Sequence, residues 1–123
     1  MVMGTIMIVR NFLEAPGKVQ SIHGGKGLGN NARVFEPADF DTPLRFINYV
    51  EMEPGSSIGL HRHGENEEVY VVLAGDGLMT VNDERRAVKA GDVILNKPGW
   101  QHGLENTSGQ ILKLFVFEVN QVR

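Results

Sequence analysis

The chain has 123 residues, of which 41% are hydrophobic and 22% charged, a size and composition that suit one domain, residues 1–123, and argue against disorder. Its formal net charge is −3, and apart from Arg85, Arg86 and Lys89 the basic residues are scattered, so no stripe follows a phosphate backbone and no nucleic-acid partner is expected. It has no cysteine, so any metal must be held by nitrogen and oxygen, and a cytoplasmic location fits.

In chain order, MVMGTIMIVR carries an apolar run without a basic flank before it or a small-residue cleavage site after it; TIMIV reads as a first strand rather than an export signal. Residues 10–43 are the least strand-like part. NFLEA and ADF each meet a proline within a few residues, so helix is expected to be minor. HGGKGLGNN lacks the G-x-x-x-x-G-K-S/T spacing of a phosphate loop. Its Gly-rich part, residues 24–31, reads as a flexible loop over a barrel mouth or against a partner subunit, with His23 exposed beside it. From there on, LRFINYVEM, SIGLH, EVYVVL, GLMTV, RRAV, DVILN and ILKLFVFEV are short β-like runs punctuated by turn residues, the pattern of an antiparallel sandwich or barrel. Asn82-Asp83 predicts a hairpin turn, and Lys97-Pro98-Gly99 a type II turn. Asn106-Thr107-Ser108 reads as a turn rather than a glycosylation acceptor. The tail ILKLFVFEV is too short to span a bilayer and no membrane partner is expected; Phe115, Phe117 and Lys113 share one face of it and Glu118 takes the other, and alternation leaves the inward side open.

The chemistry concentrates in GLHRHGENEEVYVVLAG. His61 and His63, one residue apart, point to the same side only on a strand. Gly64-Glu65-Asn66 has the composition of a turn, so the chain can double back and set a carboxylate beside both imidazoles. Glu67 and Glu68 point to opposite faces, so one of the two can join them; Tyr70 and Val72 share a face with Glu68. A third imidazole, His102, follows the Pro-Gly turn in NKPGWQHGLEN. Phe46 and Asn48 share a face of an earlier strand and, with Tyr70 and Trp100, are candidate substrate-binding residues, although aromatic side chains also fill small barrels as ordinary core.

A glycine frame surrounds these groups: Gly55, five residues, His61, one residue, His63, four residues, Glu68, six residues, Gly75; then Gly91, six residues, Pro98-Gly99, two residues, His102, three residues, Asn106. This resembles the two signature motifs of the cupin family, over 55–75 and 91–106. The second motif departs at Lys97, where the family usually has proline. The resemblance implies an all-β, antiparallel barrel of jelly-roll type with little helix. It selects Glu68 over Glu67, joins His102 to the set, and so implies one divalent metal held by His61, His63, Glu68 and His102.

Three imidazoles and one carboxylate leave an octahedral ion two open positions, and the donor set suits Mn, Fe, Co or Ni, with Zn or Cu also compatible. The reading is a metal-dependent enzyme on a small oxygenated or carboxylate substrate, of dioxygenase, decarboxylase, isomerase or lyase type, with Tyr70 or Glu67 to move a proton. Its rival is a non-catalytic small-molecule-binding or sensor module, since one fold hosts many activities. A homodimer is expected from sheet edges available for pairing or strand exchange.

Overall fold

The computed structural model of the chain describes residues 6–122. Ten strands follow one another: β1 (Gly17–Gln20), β2 (Gly29–Phe35), β3 (Leu44–Met52), β4 (Ser57–Arg62), β5 (Asn66–Ala74), β6 (Asp76–Val81), β7 (Glu84–Lys89), β8 (Val93–Asn96), β9 (Gln101–Glu105) and β10 (Leu112–Asn120). Helical structure among the described residues is one 3-10 turn, Pro37–Asp39.

The strands form two antiparallel sheets. One runs β1-β2-β3-β10-β5-β8 and the other β4-β9-β6-β7. Each contributes one apolar face to a shared core: Val50, Met52, Tyr70, Val72, Leu112, Leu114 and Val116 from the larger sheet, Ile58, Met79, Val88 and Leu104 from the smaller. Strict alternation along β10 buries Leu112, Leu114, Val116 and Glu118 and turns Lys113, Phe115 and Phe117 the other way, which settles the inward side. Glu118 therefore ends a buried apolar row as a buried carboxylate.

The expected turns form. Trp100 N–H donates to the Lys97 carbonyl at 3.1 Å across Pro98-Gly99, and Gly99 takes the positive φ of 78° that a type II turn needs at its third residue. Asn82, at φ 52°, closes the hairpin from β6 to β7. Asn106, fully buried, donates to the carbonyls of Met52 and Gln110 at 3.0 and 2.7 Å, a structural role at the foot of the core.

The N-terminal third differs from expectation. Thr5 lies outside the described residues, and residues 6–9 form no strand: Ile6, Met7, Ile8 and Val9 are exposed. The chain next to them is tied across a sheet face instead of along an edge, so its backbone groups meet no ladder. Arg10 donates to the Val34 carbonyl and to both Asp39 carboxylate oxygens, and Phe12 packs on Tyr49 and Phe115 at ring separations of 4.6 and 4.7 Å. Two strands then arise where none was expected, β1 (GKVQ) and β2 (GNNARVF); β2 is held by pairing with both β1 and β3 rather than by its own propensity.

Candidate metal and ligand site

β4 delivers His61, and His63 follows its last residue. The turn over Lys97–Trp100 grips that end, since His63 N–H donates to the Trp100 carbonyl and Gly99 N–H to the His63 carbonyl, both at 3.1 Å. β9 sets His102 directly opposite His61. From the facing sheet, β5 delivers Glu68, which stands directly opposite Glu118 of β10. One ligand atom from each of His61, His63, Glu68 and His102 lies within 4.8 Å of every other.

Orientation of the rings makes this more than proximity. His61 Nδ1 lies 2.7 Å from the Gly59 carbonyl and His63 Nδ1 2.7 Å from Asn66 Oδ1 and 3.1 Å from Glu118 Oε1, contacts in which Nδ1–H is the donor. Both Nε2 atoms are thereby aimed inward, 3.2 Å apart. Glu68 Oε1 lies 3.3 Å from His63 Nε2 and 3.0 Å from His102 Nε2. Adjacent corners of an octahedron with bonds of about 2.1 Å are about 3.0 Å apart, so these spacings fit one divalent ion. The electrostatics point the same way. Hydrogen bonds to Glu118 and then Glu68 raise His63 to about 10, so in the metal-free site a proton does the neutralising work of a cation. Burial pushes the Glu68 carboxyl up, but hydrogen bonds from His102 and His63 outweigh it and hold Glu68 at about 2. Burial lowers His61 to about 4, leaving it a neutral donor ligand at physiological pH.

A cavity of about 450 Å³ opens on this cluster, and Phe46, Asn48 and Tyr70 all line it. Tyr70 is buried with its ring edge-on to His102 at 5.2 Å; burial, and then the Glu68 charge, raise its phenol well above the ordinary value, so it is a standing hydrogen-bond donor rather than a base. Glu67 and Trp100 are not brought to the cavity. Glu67 takes the opposite face of β5 and lies 3.9 Å from Lys97 Nζ, while Trp100 borders a separate hollow with Val81 and Asn82. Trp100 meets the site through its backbone carbonyl, which accepts from His63 N–H.

Three further residues belong to the site. Glu118 receives His63 Nδ1–H and pairs with Arg45 at 3.0 Å; a register shift between Glu118 and Val119 inserts Arg45 as an extra residue opposite, which turns its side chain to the carboxylate. The sequence signal for Glu118 was its parity with Leu112, Leu114 and Val116. Asn66 fixes the His63 ring. His23 is exposed, as its loop suggested, yet its ring stacks on His61 at 3.6 Å with an 11° tilt. The loop around it is fastened: Gly59 N–H donates to Ile22, Ser57 N–H to Lys26, and a Cβ on Gly25 would meet the Ser57 carbonyl at 2.0 Å.

Two antiparallel sheets around an inward cluster of three imidazoles and a carboxylate define a jelly roll whose cluster fits a metal ion, and similarity to known proteins narrows that class. The cupin domain model matches residues 48–118, more than half of the chain, and the chain belongs to the cupin family. It is similar to an oxalate-binding protein of Thermotoga maritima, 34% identical over 110 residues that span 89% of this chain and 91% of the relative. Its fold superposes on the crystal structure of a predicted oxalate decarboxylase of Thermotoga maritima with a TM-score of 0.88 and 31% identity, covering 93% of this chain and 99% of the other. A cupin 2 conserved barrel protein of Salinispora arenicola, at 20% identity and TM-score 0.74 over 94% of this chain and 91% of that one, shares the fold.

Proposed function

We propose that this chain holds one divalent metal ion through His61, His63 and His102 Nε2 and Glu68 Oε1, and captures a small carboxylate of the oxalate class at the metal's open positions to act on it as an enzyme. The observation that carries the reading is the convergence of three Nε2 atoms and one carboxylate oxygen, with Nδ1 of His61 and of His63 occupied elsewhere. The two oxalate-related likenesses supply the ligand class. When bound, a divalent ion acts as a Lewis acid on carboxylate oxygens.

The chain's own residues do the rest. Gly59, Asn66 and Glu118 fix the ring orientations. Tyr70 keeps its proton and steadies the Glu68 carboxylate. Phe46 and Asn48 wall the cavity on the larger sheet. Elemental analysis of protein purified without chelator, followed by calorimetric titration of the metal-loaded and metal-stripped forms with oxalate, tests the reading. Metal bound one to one and oxalate taken up by the loaded form alone are expected; no metal uptake after incubation with Mn, Fe, Co, Ni, Zn or Cu would overturn it.

A second reading is retention without turnover, favoured by the name of the curated relative, an oxalate-binding protein. Oxalate recovered unchanged from the loaded protein, aerobically and anaerobically, selects it over the enzyme.

A further inference from the structure

Three arginines line the cavity, Arg33, Arg45 and Arg62, and they differ in what their guanidinium groups meet. Arg45 is neutralised by Glu118 at 3.0 Å. Arg33, on the inner side of β2, has no carboxylate partner among the described residues; its Nε donates to Asn48 Oδ1 at 3.1 Å and its guanidinium lies over the Phe46 ring, 4.5 Å from the centroid. Those two contacts fix the plane of the group and leave its terminal NH2 groups without a hydrogen-bond partner among the described residues, the fork that matches a carboxylate. Asn31, two residues earlier on the same side of β2 and lining the same cavity, buries an Oδ1 that also lacks a partner. With a divalent ion in place, Glu68 offsets one of its charges and Arg45 offsets Glu118, whereas Arg33 and Arg62 face no carboxylate among the described residues; of these two, Arg62 already donates to the Gly99 carbonyl, and Arg33 keeps its terminal NH2 groups for a ligand.

Resting on the metal site of the preceding section, we propose that Arg33 is the specificity residue of this cavity: it takes the carboxylate oxygens that the metal does not, so the ligand is a small dicarboxylate rather than a monocarboxylate. Asn48 and Phe46 are then positioning residues for Arg33. The exposed setting of Arg33 at the cavity mouth means that water screens the pair, and its contribution is that of one charge-assisted contact.

Calorimetric titration of the metal-loaded protein with oxalate and with oxamate, which keeps the shape and loses one charge, tests the assignment. The wild-type chain is expected to prefer oxalate by about tenfold or more, the scale of one hydrogen-bonded charge. Arg33→Gln should keep metal affinity and oxamate affinity and lose most of that preference, and Arg33→Lys should recover part of it. Arg62 lines the same cavity but its guanidinium is taken by the Gly99 carbonyl, so Arg62→Gln reports the effect of charge without contact and should change the preference much less. An oxalate preference that survives in Arg33→Gln, or falls equally in Arg62→Gln, overturns the proposal while leaving the metal site standing. If the loaded wild-type protein binds neither acid, the reading of the preceding section falls and this one with it.

Discussion

The inner face of the larger sheet has two halves built on the same strands. Toward one end, Val50, Met52, Val72, Leu112 and Leu114 interlock with no polar atom among their side chains. Four residues along β10 and β5 the same face carries Glu118 and Glu68, with His63 between them and His102 against Glu68. The apolar half is held by side-chain burial and contains no group that titrates or binds an ion. The polar half places two carboxylates directly opposite each other, an arrangement that opposes strand pairing unless something positive is shared between them. One half makes the scaffold and the other uses it.

Mutations that separate the halves sharpen this. Leu114→Ala, at a position with no exposed surface, should cost about 2–5 kcal/mol of unfolding free energy by leaving a cavity, with the metal affinity of the folded fraction unchanged; denaturant titration beside a chelator competition reads both. His102→Gln removes a ligand of the polar half and should weaken metal binding by more than about 100-fold, beyond what an outer partner costs, with a far smaller change in the denaturation midpoint of the metal-free protein. Glu118→Gln keeps the shape but loosens the His63 ring, and about 10–100-fold in metal affinity is expected. A Glu118→Gln protein with wild-type affinity would break the link from β10 to the metal.

The smallest effect is a pH dependence. In the metal-free fold His63 keeps its proton to about 10, against an ordinary value of 6.5, because Glu118 and Glu68 accept from it. A folded value raised above the unfolded one stabilises fully below 6.5, and that stabilisation fades as pH climbs toward 10. Metal-free protein should therefore lose thermal stability between pH 6.5 and 10 more steeply than metal-loaded protein, in which His63 is already neutral. Parallel melting curves of the two forms across that range would remove His63 from the ligand set.

Much of this was legible in the sequence, and the failures have physical causes. LRFINYVEM is β-branched, aromatic and alternating, and it spans β3 from first residue to last. The β2 stretch GNNARVF has little strand propensity of its own and is made a strand by its two neighbours, which no local pattern reports. The run after Thr5 fails in the opposite sense: Ile6, Met7, Ile8 and Val9 have strand propensity, yet they lie exposed and form no strand. β9, QHGLE, was hidden by Gly103, where a Cβ would sit 3.1 Å from the Ile58 carbonyl and 3.2 Å from the Leu60 backbone. In the site, spacing alone proposed His61, His63 and a glutamate, and a family resemblance brought in His102. Glu118 lies fifty residues from Glu68 in sequence and one strand away in space; its parity with Leu112, Leu114 and Val116 points it inward only once the inner side of β10 is known, and His23 comes from a loop whose docking depends on glycine contacts that spacing does not report.

The pairing of Glu68 with Glu118 also bears on the life of the protein in a cell. On the proposed metal site, chains made where metal is scarce would close around a proton instead of an ion, a weaker clasp that would open more often and offer proteases more chances. Steady-state abundance would then follow metal supply without a dedicated regulator, and the half-life of the chain in metal-depleted and metal-replete cultures measures how tightly the two are tied.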